Sequence, residues 1–417
     1  MTLALGIDLG TSGIRCAVIG TQGDVIGMAR GSYPDGTAEG WWHAVVEGLD
    51  ALSGQIGAQA MSQISRAAVD GTSGTMVLVD ADLVPVTPPL MYDSSGFDDE
   101  AAEIDLHAPK GHMARGPSSA LARALRLQRM DTGGRARHLC HQADFIQARL
   151  TGVPGHSDEN NALKTGFDVA CRVWPDWIAR TPLRAALLPQ VHVVGAPLAP
   201  VAPDRAAAFG LSPALMLHAG TTDSIAAFLA TGAADVGDVV TSLGTTLAIK
   251  MLSDTRIDDP AQGIYSHRLG DKWLVGGASN TGGGALLAHF TVAELESLGA
   301  AIDPGTPSGL DYYPLARPGE RFPVNDPHLP PRVTPRPRDD ALFLKGLLEG
   351  IATIEARCYA ALKDLGAPEI TRIFTAGGGA SSTVWQEIRA RIIGKPFATP
   401  SYSEAAIGAA RLAQGGV

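Results

Sequence analysis

The sequence predicts an α/β protein of two domains, and three observations support this. The chain has 417 residues, which is more than a single hydrophobic core usually serves. Apolar runs of strand length alternate with helical patterns along the chain. A succession of strand, glycine–threonine turn and strand occurs once in each half. Because the stretch 187–213 is rich in proline and alanine, we expect one domain over residues 1–213 and a second over 214–417.

The first half opens with a predicted β-hairpin. Apolar runs at 3–9 and 14–19 flank the tight turn Gly10-Thr11-Ser12-Gly13, and Asp8 lies at its mouth. Successive glycines let the main chain approach a ligand closely while the N–H groups donate hydrogen bonds. A carboxylate beside such a turn can hold a metal ion that bridges phosphates. The hairpin therefore predicts a nucleotide phosphate site.

The remainder of the first half alternates between strand and helix patterns. The sequence predicts strands at 25–31, 64–70 and 76–80, and helices at 40–56, 119–127 and 144–150.

The second half repeats the opening pattern with changes. The apolar run 215–219 leads into Gly220-Thr221-Thr222, a predicted turn that ends in Asp223. Strands at 239–243 and 247–252 flank a second turn, Gly244-Thr245-Thr246. Two domains that each offer such a hairpin can clamp a nucleotide between them. Beyond these we expect helices at 225–230, 342–365, from 383 and at 404–413, a strand at 370–375, a glycine loop at 376–382 and a surface excursion at 304–338.

Composition and charge argue against several classes of protein. A net charge of −10 argues against sequence-independent binding of nucleic acid, which needs clustered lysine and arginine. Cys16, Cys140, Cys171 and Cys358 share no short spacing, which excludes zinc clusters and CxxC redox motifs and predicts buried thiols. No apolar stretch is long enough to span a bilayer, and no signal peptide is evident. We therefore expect a cytoplasmic protein with no membrane contact.

Four segments in this order resemble the motifs of the FGGY carbohydrate kinases. Asp8–Gly13 and Ser242–Thr246 resemble the two phosphate motifs, Thr222-Asp223 the catalytic-aspartate segment, and Gly377–Ser381 the adenosine motif. The resemblance covers nearly the whole chain and extends to 144–152, 277–280 and 404–412. It implies two ribonuclease-H-like domains, the actin and hexokinase architecture, with ATP and sugar meeting in a central cleft.

The resemblance also implies roles for individual residues. Asp223 would be the general base, and Asp8 would contact the sugar and organise Mg²⁺, directly or through water. The other residues would bind the nucleotide: Thr11, Ser12 and Gly13 at the γ-phosphate, Gly244 and Thr245 at the β- and γ-phosphates, and Gly378, Gly379, Ser382 and Trp385 at the adenosine. From the residues alone, Trp385 fits a core tryptophan as well as a wall for the adenine. Asp223 also fits a helix N-cap, and this is compatible with catalysis because a helix N-terminus favours an ionised carboxylate.

Two loops depart from the pattern of many pentulose kinases. Where these carry a Gly-Gln-Met-His-Gly type of loop, this chain has Asp70-Gly71-Thr72-Ser73-Gly74-Thr75, so Ser73 is the candidate sugar contact. Where they carry Trp-x-Asp-x-Arg, this chain has Met91-Tyr92-Asp93-Ser94-Ser95, which keeps the carboxylate and lacks the arginine. The Asp93 carboxylate could accept hydrogen bonds from two sugar hydroxyls. Asp93 is equally well interpreted as a solvated acidic residue in a loop.

The chain is short for the family and looks most like the compact kinases of plants and cyanobacteria that act on D-ribulose. The predicted function is therefore ATP-dependent phosphorylation of a ketopentose to its 5-phosphate, and D-ribulose is the favoured ketopentose. D-Xylulose or another small polyol or ketose is the alternative, and an actin-like ATPase without sugar kinase activity is a remote one. The expected partners are a small sugar and ATP with Mg²⁺, and the chain is expected to be a monomer or homodimer that binds no nucleic acid.

Overall fold

The computed structural model describes residues 2–415, which pack into two compact units. The first unit comprises the described residues up to Ala230, Arg268–Gly270 and those from Glu404 onward. The second comprises Thr231–His267 and Asp271–Ser403. The division of the chain into functional domains 1–213 and 214–417 stays a prediction. Within the described part of the chain, no helix is long and apolar enough to cross a membrane.

The first unit contains the predicted strands and helices of the first half, with only their ends moved. Its strands are β1 (Leu3–Leu9), β2 (Gly13–Ile19), β3 (Val25–Ser32), β4 (Ile64–Gly71), β5 (Met76–Val79), β6 (His138–His141), β7 (His156–Asp158), β8 (Gln190–His192), β9 (Pro197–Pro200) and β10 (Met216–Thr222). Its helices up to residue 230 are α1 (Ala38–Met61), α2 (Asp98–Asp105), α3 (Ala120–Met130), α4 (Gln142–Thr151), α5 (Glu159–Thr165), α6 (Pro203–Phe209) and α7 (Asp223–Ala230). Short 3-10 turns occur at Ile178–Arg180 and Ala185–Leu187.

The main sheet of the first unit has the order β3-β2-β1-β4-β10-β9. Strands β1, β4 and β10 run parallel, with Asp8 opposite Asp70 and Asp70 opposite Thr221. Parallel strands end at one edge of a sheet, and in open α/β sheets ligands bind outside that edge. The register therefore brings Asp8, Asp70 and the first turn of α7 to one edge.

The turn predicted at Gly220-Thr221-Thr222 is wrong, because these residues are the last three of β10. A Cβ atom on Gly220 would lie 1.8 Å from the carbonyl oxygen of Val69 on β4. Glycine at this position thus serves the close approach of two strands, and the chain turns only where α7 begins at Asp223.

The second unit is built on its own six-stranded sheet, in the order β13-β14-β12-β11-β15-β16. The strands are β11 (Asp238–Leu243), β12 (Leu247–Ser253), β13 (Tyr265–Leu269), which begins in this unit, β14 (Lys272–Ser279), β15 (Arg372–Ala376) and β16 (Phe397–Ala398). The helices are α8 (Gly283–Leu287), α9 (Val292–Gly299), α10 (Asp340–Asp364) and α11 (Thr383–Ile393), with 3-10 turns at Pro260–Gln262 and Gly378–Ser381. Strands β11 and β15 are parallel, so their carboxyl ends, Leu243 and Ala376, lie at one edge.

The predicted surface excursion at 304–338 contributes to the core of the second unit. Tyr312, Tyr313 and Phe322 are buried in that core. The buried carboxylate of Glu320 accepts hydrogen bonds from Ser279 Oγ at 2.6 Å and from the Asn280 amide at 2.7 Å. The segment therefore fixes the end of β14 from a distance of forty residues along the chain.

The prediction of buried cysteines holds for three of the four. Cys16, Cys140 and Cys358 are buried, whereas Cys171 is exposed.

The last helix, α12 (Ala405–Gln414), packs in the first unit against β1 and α7. The contact is close because both surfaces carry glycine. A Cβ atom on Gly6 would lie 1.8 Å from the carbonyl oxygen of Ala406, and one on Gly408 would lie 1.7 Å from that of Ala226. Helix and strand backbones can approach this closely only where no side chain intervenes.

Replacing Gly6 by alanine is expected to destabilise the first unit by about 1–3 kcal/mol, because α12 must move to admit the methyl group. Urea denaturation followed by circular dichroism measures the effect. Gly54→Ala is the matched control, since Gly54 lies inside α1 with no atom within 4 Å of its Cβ position. Gly54→Ala should leave stability unchanged or raise it slightly, and equal stability of the two variants would contradict the packing argument.

Candidate active site

The predicted hairpin between β1 and β2 is present in the structure. The Gly10 amide donates to the carbonyl of Gly13 at 3.0 Å, and the Tyr33 hydroxyl donates to the carbonyl of Gly10 at 2.9 Å. Thr11 and Ser12 are exposed at the tip. The turn is thus held by its own backbone hydrogen bond and by Tyr33, the residue directly after β3. The hydroxyl side chains of the turn point away from the core.

Asp8 is the last polar residue before this turn, and it is 3% exposed. Arg15 on β2 lies 3.2 Å from its carboxylate and 2.8 Å from that of Glu404. Burial raises the pKa of Asp8, and the charge of Arg15 and its hydrogen bond to the carboxylate act in the opposite direction. Arg15 therefore favours the ionised form of a carboxylate that burial alone would neutralise.

Asp70 is a site residue that the sequence analysis missed. It is 0% exposed and lies opposite Asp8 on the neighbouring strand β4. Burial, and then the negative charges of Asp8 and Asp223, raise the pKa of Asp70 well above its ordinary value. Within residues 2–415 neither carboxyl oxygen of Asp70 has a hydrogen-bond partner, and burial disfavours its ionised form. The available signal was an aspartate near the carboxyl end of a buried strand, as at Asp8.

Asp223 begins α7, directly after the carboxyl end of β10. Its side chain is half-buried, and its Oδ1 accepts a hydrogen bond from the Ser224 amide at 2.6 Å. A carboxylate at a helix N-terminus is stabilised in its ionised form by the helix dipole. The position therefore suits a group that must be negatively charged at neutral pH.

Ser73 lies in the loop between β4 and β5, three residues after Asp70. The loop is held by Thr72, whose Oγ1 donates to Gln142 Oε1 at 2.7 Å and lies 2.7 Å from Thr75 Oγ1. Within residues 2–415, the buried Oγ of Ser73 has no hydrogen-bond partner. A buried hydroxyl without a partner is uncommon and is explained if a ligand supplies one.

Asp93 is exposed on the loop that follows residue 90. The amide of its neighbour Tyr92 donates to Thr75 Oγ1 at 3.0 Å, which ties this loop to the one that carries Ser73. Asp8, Asp70 and Asp223 therefore meet at one edge of the first sheet, and Ser73 and Asp93 lie on two linked loops of the same unit.

In the second unit, the turn Gly244-Thr245-Thr246 joins β11 to β12 as predicted. A run of three glycines that the sequence analysis did not single out supports this turn. The amide of Gly283 donates to the carbonyl of Gly244 at 2.8 Å, and that of Gly284 donates to the carbonyl of Thr245 at 2.9 Å. These contacts fix the turn and leave Thr245 exposed.

Gly282→Ala is expected to displace this turn. Gly282 has a φ of +136°, and an added Cβ would lie 2.8 Å from the carbonyl carbon of Thr246. We expect a weaker affinity for ATP, measured by calorimetry, and a lower melting temperature. Gly299→Ala is the control, because its Cβ would meet only Val384 Cγ1, at 3.4 Å. An unchanged ATP affinity in Gly282→Ala would show that this contact does not hold the turn.

The glycine loop after β15 forms a short 3-10 turn from Gly378 to Ser381. Ser382 then caps α11 by accepting a hydrogen bond from the Trp385 amide at 3.4 Å. The Trp385 side chain is 3% exposed and packs under the loop, where a Cβ on Gly379 would come within 2.5 Å of its ring. The open space beside Gly378 is the side of the loop where a ligand can approach.

A buried polar network supports both loops of the second unit. Arg389 on α11 forms two hydrogen bonds of 2.7 Å to Glu355 on α10, and a third of 2.7 Å to Thr375 on β15. Tyr359 donates to Glu355 at 2.6 Å and lies 2.5 Å from Thr241 Oγ1 on β11. The strands that end in the two loops are therefore anchored to the same ion pair.

Comparison with known proteins indicates a carbohydrate kinase. Residues 239–414 match the model for the C-terminal domain of the FGGY family of carbohydrate kinases. Over 98% of its length the chain is 24% identical to the xylulose kinase of Escherichia coli (strain K12), covering 89% of that protein. It is 28% identical to the xylulose kinase of Streptomyces coelicolor over 99% of its length, covering 88% of that protein. The chain is a carbohydrate kinase, and residues 239–414 match the FGGY C-terminal domain.

Solved structures of kinases share this fold. The xylulose kinase of Rhodospirillum rubrum superposes with a TM-score of 0.84 at 25% identity, covering all of this chain and 90% of that one. The Plasmodium falciparum glycerol kinase with ADP gives a TM-score of 0.82 at 13% identity, covering 99% and 89% of the two chains. The prediction of an α/β fold of the actin and hexokinase type is confirmed. The protein is thus an ATP-dependent sugar kinase, as predicted, while the roles of its individual residues stay predictions.

Proposed function

We propose that this kinase transfers the γ-phosphate of ATP to the 5-hydroxyl of a ketopentose. The observation that carries the proposal is the carboxyl edge of β1, β4 and β10, where Asp8 and Asp223 flank the buried Asp70. Burial raises the pKa of Asp70 well above its ordinary value, whereas Arg15 beside Asp8 and the helix N-terminus at Asp223 favour the ionised forms of those two carboxylates.

In the proposed reaction Asp223 is the general base. Its carboxylate accepts the proton of the sugar hydroxyl as that oxygen forms a bond to the γ-phosphorus and the bond from phosphorus to the ADP oxygen breaks. Asp8 binds the sugar and, with the phosphates, would hold Mg²⁺. Thr11, Ser12 and Gly13 of the first unit and Gly244 and Thr245 of the second bind phosphate oxygens.

The side chains of this site are compatible with a Mg²⁺ ion whose ligands come mainly from the substrate. Among residues 2–415 no group of three or more histidine, cysteine, aspartate or glutamate side chains is arranged to hold a metal. Magnesium in phosphoryl-transfer sites is usually bound by one or two carboxylates together with substrate phosphates and water. Asp8 supplies such a carboxylate, and the ion would neutralise charge on the phosphates.

The adenosine would lie against the loop of Gly378, Gly379 and Ser382. Gly378 leaves that side of the loop open, and the buried Trp385 supports the loop from below. Of the two roles predicted for Trp385, we therefore propose the core tryptophan, because its ring is almost fully covered and lies under the loop.

D-Ribulose is the favoured sugar, because short hydroxyl side chains in the β4–β5 loop replace the larger groups of many pentulose kinases. The Ser73 hydroxyl, which has no hydrogen-bond partner within residues 2–415, would donate to or accept from a sugar hydroxyl, and the Asp93 carboxylate would accept from one. D-Xylulose is the second candidate, since several of the relatives are named xylulose kinases. We also propose that the chain is related to the compact D-ribulose kinases of plants and cyanobacteria that it resembles.

A substrate panel tests the proposal. ADP release with Mg-ATP would be measured with D-ribulose, D-xylulose, L-ribulose, gluconate and glycerol. We expect the highest kcat/KM with D-ribulose and a raised sugar KM in Ser73→Ala. A preference for D-xylulose would select the second candidate, and activity with gluconate or glycerol only would overturn the assignment to a ketopentose. ADP release that needs no sugar would indicate an actin-like ATPase.

A further inference from the structure

Arg123 makes an unusual set of contacts in the first unit. It lies on α3 and is 4% exposed, and its side-chain hydrogen bonds within residues 2–415 go to backbone carbonyls. Nε donates to Gly74 at 3.0 Å, and Nη1 lies within hydrogen-bonding distance of Tyr92 at 2.9 Å, Ser94 at 3.2 Å and Ser118 at 2.9 Å. One side chain thus connects three segments of the chain.

Two of these segments carry the candidate sugar contacts. Gly74 directly follows Ser73, and Tyr92 and Ser94 stand on either side of Asp93. The guanidinium therefore fixes the backbone next to both contacts, and with them the separation of the two loops.

This arrangement has an energetic cost, the burial of a charge, and a steric requirement, the absence of a side chain at Gly74. Neutral carbonyls accept from Nε and Nη1 of Arg123 but do not balance its charge. Burial lowers the pKa of Arg123 to about 10, and the charge of Asp93 acts in the opposite direction. Gly74 has a φ of +88°, and a Cβ there would lie 2.9 Å from Nη2. A glycine in this conformation is what lets the guanidinium reach the loop.

We propose that Arg123 is a positioning residue that sets the discrimination between ketopentose epimers, by holding the Ser73 and Asp93 loops at one separation. This inference rests on the proposed function, in which both residues bind the sugar. Epimers differ in where a hydroxyl lies, so a fixed separation of the two contacts distinguishes them. A lysine at this position offers one small head group and cannot span four carbonyls in a planar arrangement.

The test compares Arg123→Met, Arg123→Lys and the wild type with D-ribulose and D-xylulose. We expect kcat/KM for the preferred sugar to fall by about 10²-fold in Arg123→Met, through a raised sugar KM. The ratio between the epimers should approach one, the KM for ATP should stay unchanged, and Arg123→Lys should be intermediate. Arg137→Met is the matched control: Arg137 also lies within hydrogen-bonding distance of three carbonyls through Nη1, at 3.0 to 3.2 Å, but it is exposed and outside these loops.

If Arg123→Met does not fold, Arg123→Lys alone decides the question by its epimer ratio. An epimer ratio equal to that of the wild type, or sugar and ATP KM values that rise together, would overturn the role of Arg123. If the wild type phosphorylates no ketopentose, the proposed function itself has failed, and the two failures are thereby distinguished.

Discussion

Asp223→Asn is expected to lower kcat by about 10²–10⁴-fold, the range that general-base catalysis supplies. Asparagine keeps the size of the side chain and can still accept the 2.6 Å hydrogen bond from the Ser224 amide. It cannot accept the proton of the sugar hydroxyl. Steady-state ADP release measures kcat, and calorimetry should find the same affinity for ATP as in the wild type.

Ser224→Ala is the control for this variant. The contact to Asp223 comes from the backbone amide of Ser224, which alanine retains, and the side chain is exposed. We expect nearly wild-type turnover. Wild-type turnover in Asp223→Asn would exclude Asp223 as the base, and a loss of ATP affinity would show that the substitution acts on nucleotide binding.

Glu355→Gln is expected to destabilise the second unit by about 3–5 kcal/mol, because it leaves the buried Arg389 charge without its partner. Both side chains are 0% exposed and joined by two hydrogen bonds of 2.7 Å. Thermal melting and urea denaturation measure the loss. Since Thr241 and Thr375 belong to the same network, the glycine loops that follow β11 and β15 should also become more susceptible to proteolysis.

Two further variants show whether burial of the charge is the cause. In the double variant Glu355→Leu and Arg389→Met both charges are removed, and it should be more stable than Glu355→Gln. Glu369→Gln breaks exposed ion pairs with Lys363 and Lys395 and should cost at most about 1 kcal/mol. A Glu355→Gln protein as stable as Glu369→Gln would contradict the account of the network.

Local sequence patterns predicted the hairpins well, because their chemistry is local. The turns at Gly10 and Gly244 need only glycine and hydroxyl residues between two apolar strands, and both are present. Gly220 misled the prediction for a physical reason. Its lack of a side chain serves the approach of β10 to the carbonyl of Val69, a contact between residues far apart in the chain.

Asp70 and Glu320 could not be identified from sequence patterns in the same way. Asp70 becomes part of the site only through the register of β4 beside β1 and β10. Glu320 sits in a segment whose prolines predict a surface loop, yet its carboxylate accepts hydrogen bonds from Ser279 and Tyr313 in the core. Both roles depend on tertiary pairing, which the local pattern of residues does not contain.

The most direct test of the central claim is the ³¹P NMR spectrum of the product formed from Mg-ATP and D-ribulose. The account predicts a phosphate monoester on a primary carbon, seen as a resonance split by two protons, in an amount equal to the ADP formed. Inorganic phosphate as the only product, with ATP consumed at the same rate when the sugar is omitted, would contradict it.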